Sequence, residues 1–92
     1  MQFEDIKFTD QFIPKGKTAL LNFGKYQLSV VCHEGSYGGK SGLYEIGVFQ
    51  GSLMVELPGI TQEGDTVKGW LKPQDVSTIM KKMTTITGQE PK

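Results

Sequence analysis

Two stretches of strict alternation, residues 26–32 and 43–49, are separated by only ten residues, and four of those ten are glycine. Tyr26, Leu28, Val30 and Cys32 point one way, and Gln27, Ser29 and Val31 the other. In the second stretch Tyr44, Ile46 and Val48 share one side, and Glu45, Gly47 and Phe49 the other. A period of two with β-branched and aromatic residues is the signature of a half-buried strand. Parallel neighbours need a crossover of about a dozen residues or more, usually helical. The segment His33–Gly42 is too short and too rich in glycine for a helix. The two strands are therefore predicted to run antiparallel, and the rest of the chain has to fit round them.

Short links recur on both sides. Residues 18–22 form a strand joined through Phe23-Gly24-Lys25 to residues 26–32, which makes a hairpin. Gln50-Gly51 joins residues 43–49 to a strand at 52–57, with Leu53, Val55 and Leu57 facing the core. Residues 58–65 carry Pro58, two glycines and two acids, and are predicted to be a loop. A last strand covers 66–71, with Val67 and Leu71 inward. Pro73 then opens a helix, where its missing N–H costs nothing. Val76, Ile79, Met80, Met83 and Ile86 form its apolar stripe, and Gly88 ends it. Residues 1–13 fit neither period and are predicted to lie irregularly over the core, Pro14-Lys15-Gly16 forms a turn, and 88–92 is a frayed tail. The expected architecture is a single α+β domain over residues 1–92: an antiparallel sheet of about five strands, with one C-terminal helix on one face.

One helix covers one face. The other is predicted to carry Val31, Phe49, Met54 and Trp70 among Gln27, Ser29, Glu45, Ser52, Glu56 and Lys68, which is too apolar for a plain solvated surface. Three arrangements would account for it. Phe3, Ile6 and Phe8 of the N-terminal segment could cover it. It could form a self-interface in a homodimer, or a partner surface. Or the strand phases could differ from those assigned.

Charge and cysteine usage narrow the function. Ten basic and ten acidic side chains cancel, so the basic excess of a phosphate-binding protein is missing and nucleic acid is not an expected partner. A neutral chain also has little repulsion to oppose self-association. Cys32 is the only cysteine, which suits a reducing cytoplasm better than a secreted, disulfide-stapled domain. The opening MQFEDIKFTDQF carries acids and no apolar run, so neither a signal peptide nor a membrane anchor is expected.

The motifs that could carry chemistry fail on spacing. Gly39-Lys40-Ser41 looks like the end of a phosphate-binding loop, but the glycine required five residues earlier is Glu34, and a strand rather than a helix follows. Cys32, His33 and Glu34 sound catalytic in sequence, yet neighbours on a strand point to opposite faces. A structural zinc needs about four ligands, and the chain has one Cys and one His. No catalytic residue, metal or cofactor is predicted.

The segment His33–Gly42 is longer than an ordinary connection, and long loops often bind. Its simplest role is to join two strands. Its sharper role is recognition, with Tyr37 presented between small residues and His33 and Lys40 beside it. Trp70, the only tryptophan, either packs beside the helix start or touches a partner.

Ser36-Tyr-Gly-Gly with Gly42-Leu-Tyr-Glu-Ile-Gly-Val-Phe49, then Gly64-Asp-Thr-Val-Lys-Gly-Trp-Leu71 and a helix holding Asp75-Val76, resembles short uncharacterised proteins of bacteriophages and prophages. The resemblance spans about residues 18–86 and implies no site residues. What it implies is context: an accessory protein made inside an infected bacterium, acting on a host or phage protein. The leading expectation is thus a non-enzymatic protein-binding protein with His33, Tyr37, Lys40 and Trp70 at its contact. The alternatives are a small-molecule binder or minor enzyme using the loop at 33–42, and a structural component of a phage particle.

Overall fold

The two alternating stretches become neighbouring strands at the centre of an antiparallel sheet. The computed structural model of the chain describes residues 1–92. Its strands are β1 (Thr9–Phe12), β2 (Lys15–Asn22), β3 (Gln27–His33), β4 (Tyr44–Gln50), β5 (Leu53–Met54) and β6 (Val67–Leu71), followed by helix α1 (Pro73–Thr87). The order across the sheet is β1-β2-β3-β4, and every pairing is antiparallel. The far edge of β4 is shared: β5 pairs with Phe49 and Gln50, and β6 with Tyr44, Ile46 and Gly47. The predicted α+β architecture with one C-terminal helix is the one observed, with β1 as an additional strand.

Register shows which side chains share a face. Leu28 lies between Leu21 and Val48, and Val30 between Ala19 and Ile46. These residues point toward α1. Leu28, Val30, Ile46 and Val48 are fully buried, as are Val76 and Met83 of the helix. Fifteen buried residues form one apolar cluster between sheet and helix. The helix obeys its own signals. Pro73 occupies the first turn, Asp75 Oδ2 accepts the Lys72 N–H at 2.9 Å, and the Gly88 N–H donates to the Thr84 carbonyl at 2.8 Å. Ile86, expected in the buried stripe, is 46% exposed. At 3.6 residues per turn it lies about 80° round the helix from Val76, on the flank of the stripe.

Several local expectations are corrected by long-range packing. The turn predicted at Pro14-Lys15-Gly16 sits one step earlier, and Lys15 and Gly16 already belong to β2. The N-terminal segment does not cover the far side of the sheet. It lies on the helix side, where the Phe3 N–H donates to Ser77 Oγ at 2.8 Å. Phe3 and Phe8 meet the ring of Tyr44, an inward residue of β4, at centroid distances of 4.9 and 5.7 Å. Phe12 and Ile13, expected over the core, are instead 85% and 95% exposed at the β1–β2 turn. The strand predicted at 52–57 shortens to Leu53–Met54, and Leu53 is exposed rather than inward. Two residues assigned to turns and loops are core residues, Phe23 and Ile60. The tail is tied down as well: Lys92 and Asn22 exchange backbone hydrogen bonds of 2.9 and 3.2 Å.

The largest correction concerns β6. Tyr44 faces Leu71 and Ile46 faces Lys68, so β6 carries one more residue than β4 over that span. This is a β-bulge, and it reverses the alternation within the strand. Leu71 points inward as predicted. Val67 lies opposite Gly47, on the outer face, and Lys68 lies opposite Ile46, on the inner side. Trp70, within the bulge, takes φ 60°.

Candidate protein-binding site

The glycine-rich connection is built as a chain of hydrogen-bonded turns, because one small hydroxyl organises its start. Ser36 Oγ accepts the His33 N–H at 3.0 Å and donates to the His33 carbonyl at 2.9 Å. The Ser36 N–H reaches the same carbonyl at 3.1 Å. Ser36 is buried, and no buried side-chain polar atom in the chain lacks a partner. Further bonds from Gly39 to Ser36 and from Leu43 to Gly38, each 3.0 Å, fold the loop back on itself. Position 39 tolerates only glycine: a Cβ there would stand 1.8 Å from the His33 carbonyl oxygen.

The folded loop docks on the bulge of β6. The Trp70 N–H donates to the Tyr37 carbonyl at 3.2 Å, and Glu45 Oε1 accepts the Tyr37 N–H at 3.3 Å. Both polar groups of the Tyr37 backbone are therefore held. The side chain crosses Gly69 so closely that a Cβ on Gly69 would come within 2.3 Å of Tyr37 Cβ. Glycines at 39 and 69 thus permit one docked conformation. Yet the rings the loop positions remain in solvent: Tyr37 is 61% and Trp70 64% exposed.

Of the four side chains singled out in the sequence, the structure brings three together. Tyr37, Lys40 and Trp70, with Glu34 and Ser41, line a shallow cleft of about 160 Å³. His33 lies elsewhere. Its Nδ1 accepts the Gly35 N–H at 3.0 Å. Its ring lines a separate, larger cleft of about 570 Å³ at the end of β2 and β3, beside Asp10, Phe12, Lys15, Lys17 and Cys32. There the Lys17 ammonium lies 5.0 Å from the Phe8 ring centroid and 5.4 Å from that of Tyr44. Cys32 is half-buried, and its Sγ lies 3.8 Å from the Gly39 carbonyl oxygen. No three His, Cys, Asp or Glu side chains converge. No helix is long and apolar enough to cross a membrane.

The residues assigned to an outer apolar face divide in the same way. Val31, Phe49 and Met54 do share it by register. Trp70 is drawn to the loop cleft by the bulge. Two members escaped the sequence reading. Leu20 faces outward opposite Ser29, and Val67 lies opposite Gly47. The short strand at 18–22 has too few positions for its phase to be read, and the only mark of the bulge is Gly69 inside β6. Comparison with known proteins finds no matching family model, no matching curated protein and no matching solved structure.

Proposed function

We propose that this chain is a small non-enzymatic binding protein that acts by protein–protein contact through Tyr37 and Trp70, with Lys40 at the rim. The observation that carries this reading is the backbone of Trp70. A bulky residue at φ 60° is an outlier whose strain costs about 1–3 kcal/mol. A buried tryptophan would offset that cost through packing, whereas this one is 64% exposed. Strain retained without a packing return is a mark of functional positions.

The chemistry suits a protein partner. Tyrosine and tryptophan are favoured anchors because each brings a large amphipathic surface with few rotatable bonds. Here the backbone beneath both rings is already held by the bonds of Tyr37 to Glu45 and Trp70. Pre-organisation of this kind lowers the entropic cost of association. The resemblance to phage and prophage accessory proteins supplies the setting: a bacterial cell, with a host or phage protein as target.

Affinity purification of the tagged chain from a bacterial lysate tests the reading. Wild type is expected to retain a stoichiometric protein. Tyr37→Ala and Trp70→Gly are expected to weaken its capture tenfold or more, as removal of an anchor does. Trp70→Gly also relieves the left-handed strain, so the variant should unfold no earlier than wild type. Unchanged capture by both variants would refute the assignment.

A second reading rests on the cleft beside His33. Its volume of about 570 Å³ suits a small molecule. A metabolite screen by thermal shift, with His33→Ala as control, would find a ligand there if this reading holds.

A further inference from the structure

The two most exposed large apolar side chains of the molecule are sequence neighbours. Phe12 and Ile13 are 85% and 95% exposed where β1 turns into β2. Phe12 pairs with Lys15, so Ile13 and Pro14 alone make that turn. A side chain exposed to this degree has almost no neighbour on any side, so the turn projects from the body of the fold. It is also braced. Gln11 Nε2 donates to the Pro14 carbonyl at 2.8 Å, and the Glu34 N–H donates to the Lys15 carbonyl at 3.3 Å. Single apolar side chains scattered over a surface need no explanation. An adjacent pair on a held, projecting tip adds nothing to the core and stands open to a partner.

The tip lies at the same end of the molecule as Tyr37 and Trp70. Pro14 Cγ is 3.8 Å from where a Cβ on Gly35 would stand, so the turn and the glycine-rich loop pack side by side. Phe12 lines the cleft beside His33, and Tyr37 and Trp70 line the smaller one. Glu34 is a wall of both clefts. Gly39 of the first cleft lies in the chain between Gly38 and Lys40 of the second. The two clefts are therefore contiguous, and one surface runs from Ile13 across Glu34 to Trp70.

We infer that this surface is a single contact led by Phe12 and Ile13, and that its occupant is a protein with a concave apolar pocket that receives them. The inference rests on the protein-binding reading above and adds to it the tip and the shape of the partner. The shape follows from the exposure. A projecting apolar side chain gains most when water leaves it on every side, which a pocket achieves and a flat surface does not. Because the turn is already braced, little further order is lost when the tip is inserted. A lipid surface is the other body that could take an apolar tip. Anionic bilayers attract segments with a basic excess. Here the formal charges of Asp10 and Glu34 balance those of Lys15 and Lys17 around the base of the tip.

Photo-cross-linking of the full chain in a bacterial lysate is the test, with benzoylphenylalanine replacing Phe12, Tyr37 or Leu53 in turn. Leu53 is the control, because it is 68% exposed beyond the opposite end of β4. The probes at 12 and 37 are expected to label one and the same protein, and the probe at 53 to leave it unlabelled. With that protein purified, Phe12→Ser and Ile13→Ser are each expected to raise Kd about tenfold or more. Their thermal midpoints should match wild type, because neither side chain is buried. If the probe at 12 fails to label what the probe at 37 labels, and both tip variants leave Kd unmoved, the inference is overturned and the Tyr37–Trp70 reading stands. If the probe at 12 labels a protein whose capture is indifferent to Tyr37→Ala and Trp70→Gly, that reading fails, and the single contact with it. Sedimentation with vesicles of equal parts phosphatidylcholine and phosphatidylglycerol, lost in Phe12→Ser, would give the tip to a membrane and overturn the inference too. No labelled protein at position 12 or 37 overturns both.

Discussion

The two faces of this sheet are made by the same alternation and meet opposite fates. On the inner face, Leu28, Val30, Ile46 and Val48 are fully buried beneath α1 and the N-terminal segment. On the outer face, one residue away along each strand, Leu20 and Met54 stay about half or more in solvent. Alternation specifies that two faces exist and which residues share each. It does not specify which face the rest of the chain will cover, and here α1 and the N-terminal segment both landed on one side. The consequence is that the inner face holds the core, while Leu20, Met54, Tyr37 and Trp70 keep large apolar or aromatic side chains in solvent.

Substitutions on the two faces can break or sharpen that contrast. The largest effect is expected from Ile46→Ala, which empties a fully buried position on the inner face. It should lower unfolding free energy by about 3 kcal/mol in urea titrations, since the cavity only partly collapses. A loss below about 1 kcal/mol would mean the inner face is not the core described. An intermediate effect is expected from Gly69→Val, where a new Cβ enters the space of Tyr37 Cβ. Overpacking of this kind costs about 1–3 kcal/mol. Displacement of the loop should also change the fluorescence of Trp70, the only tryptophan in the chain. A variant with unaltered emission would show that the loop is not docked on the bulge. The smallest effect is expected from Leu20→Ala on the outer face. Measured in the dilute monomer, it should change stability by no more than about 0.5 kcal/mol. A loss as large as that from Ile46→Ala would erase the distinction between the faces.

Much of this was legible because it depends on near neighbours. The hairpin of β2 and β3, the inward set on β3 and β4, and the helix from Pro73 with its stripe at Val76, Ile79, Met80 and Met83 all follow from short-range pattern. The grouping of Tyr37 and Lys40 follows from their place in one loop. What was not legible depends on distant encounters. Val67 reverses its face because a bulge intervenes between it and Leu71, and the one local sign of that bulge is Gly69 inside the strand, which does not say where the register shifts. Trp70 joins Tyr37 because the same bulge presents its N–H to the loop. His33 leaves the predicted site because its ring lines the cleft at the end of β2 and β3. Phe23 and Ile60 occur in segments rich in turn residues, so their burial required knowing what lay above them.

The sequence by itself determined the periods, the breaks and the helix: which residues alternate, where glycine and proline interrupt, and which helical positions are apolar. These are set by sterics and burial within a few residues, and they hold wherever the segment lies. Only the tertiary structure decided which face was covered, where Phe3, Ile6 and Phe8 went, and which exposed side chains came together. Those outcomes depend on contacts such as the Phe3 N–H on Ser77 Oγ, across 74 residues of chain. The physical reason is that a local pattern states what a segment must bury, while the partner that buries it is chosen by the packing of the whole chain.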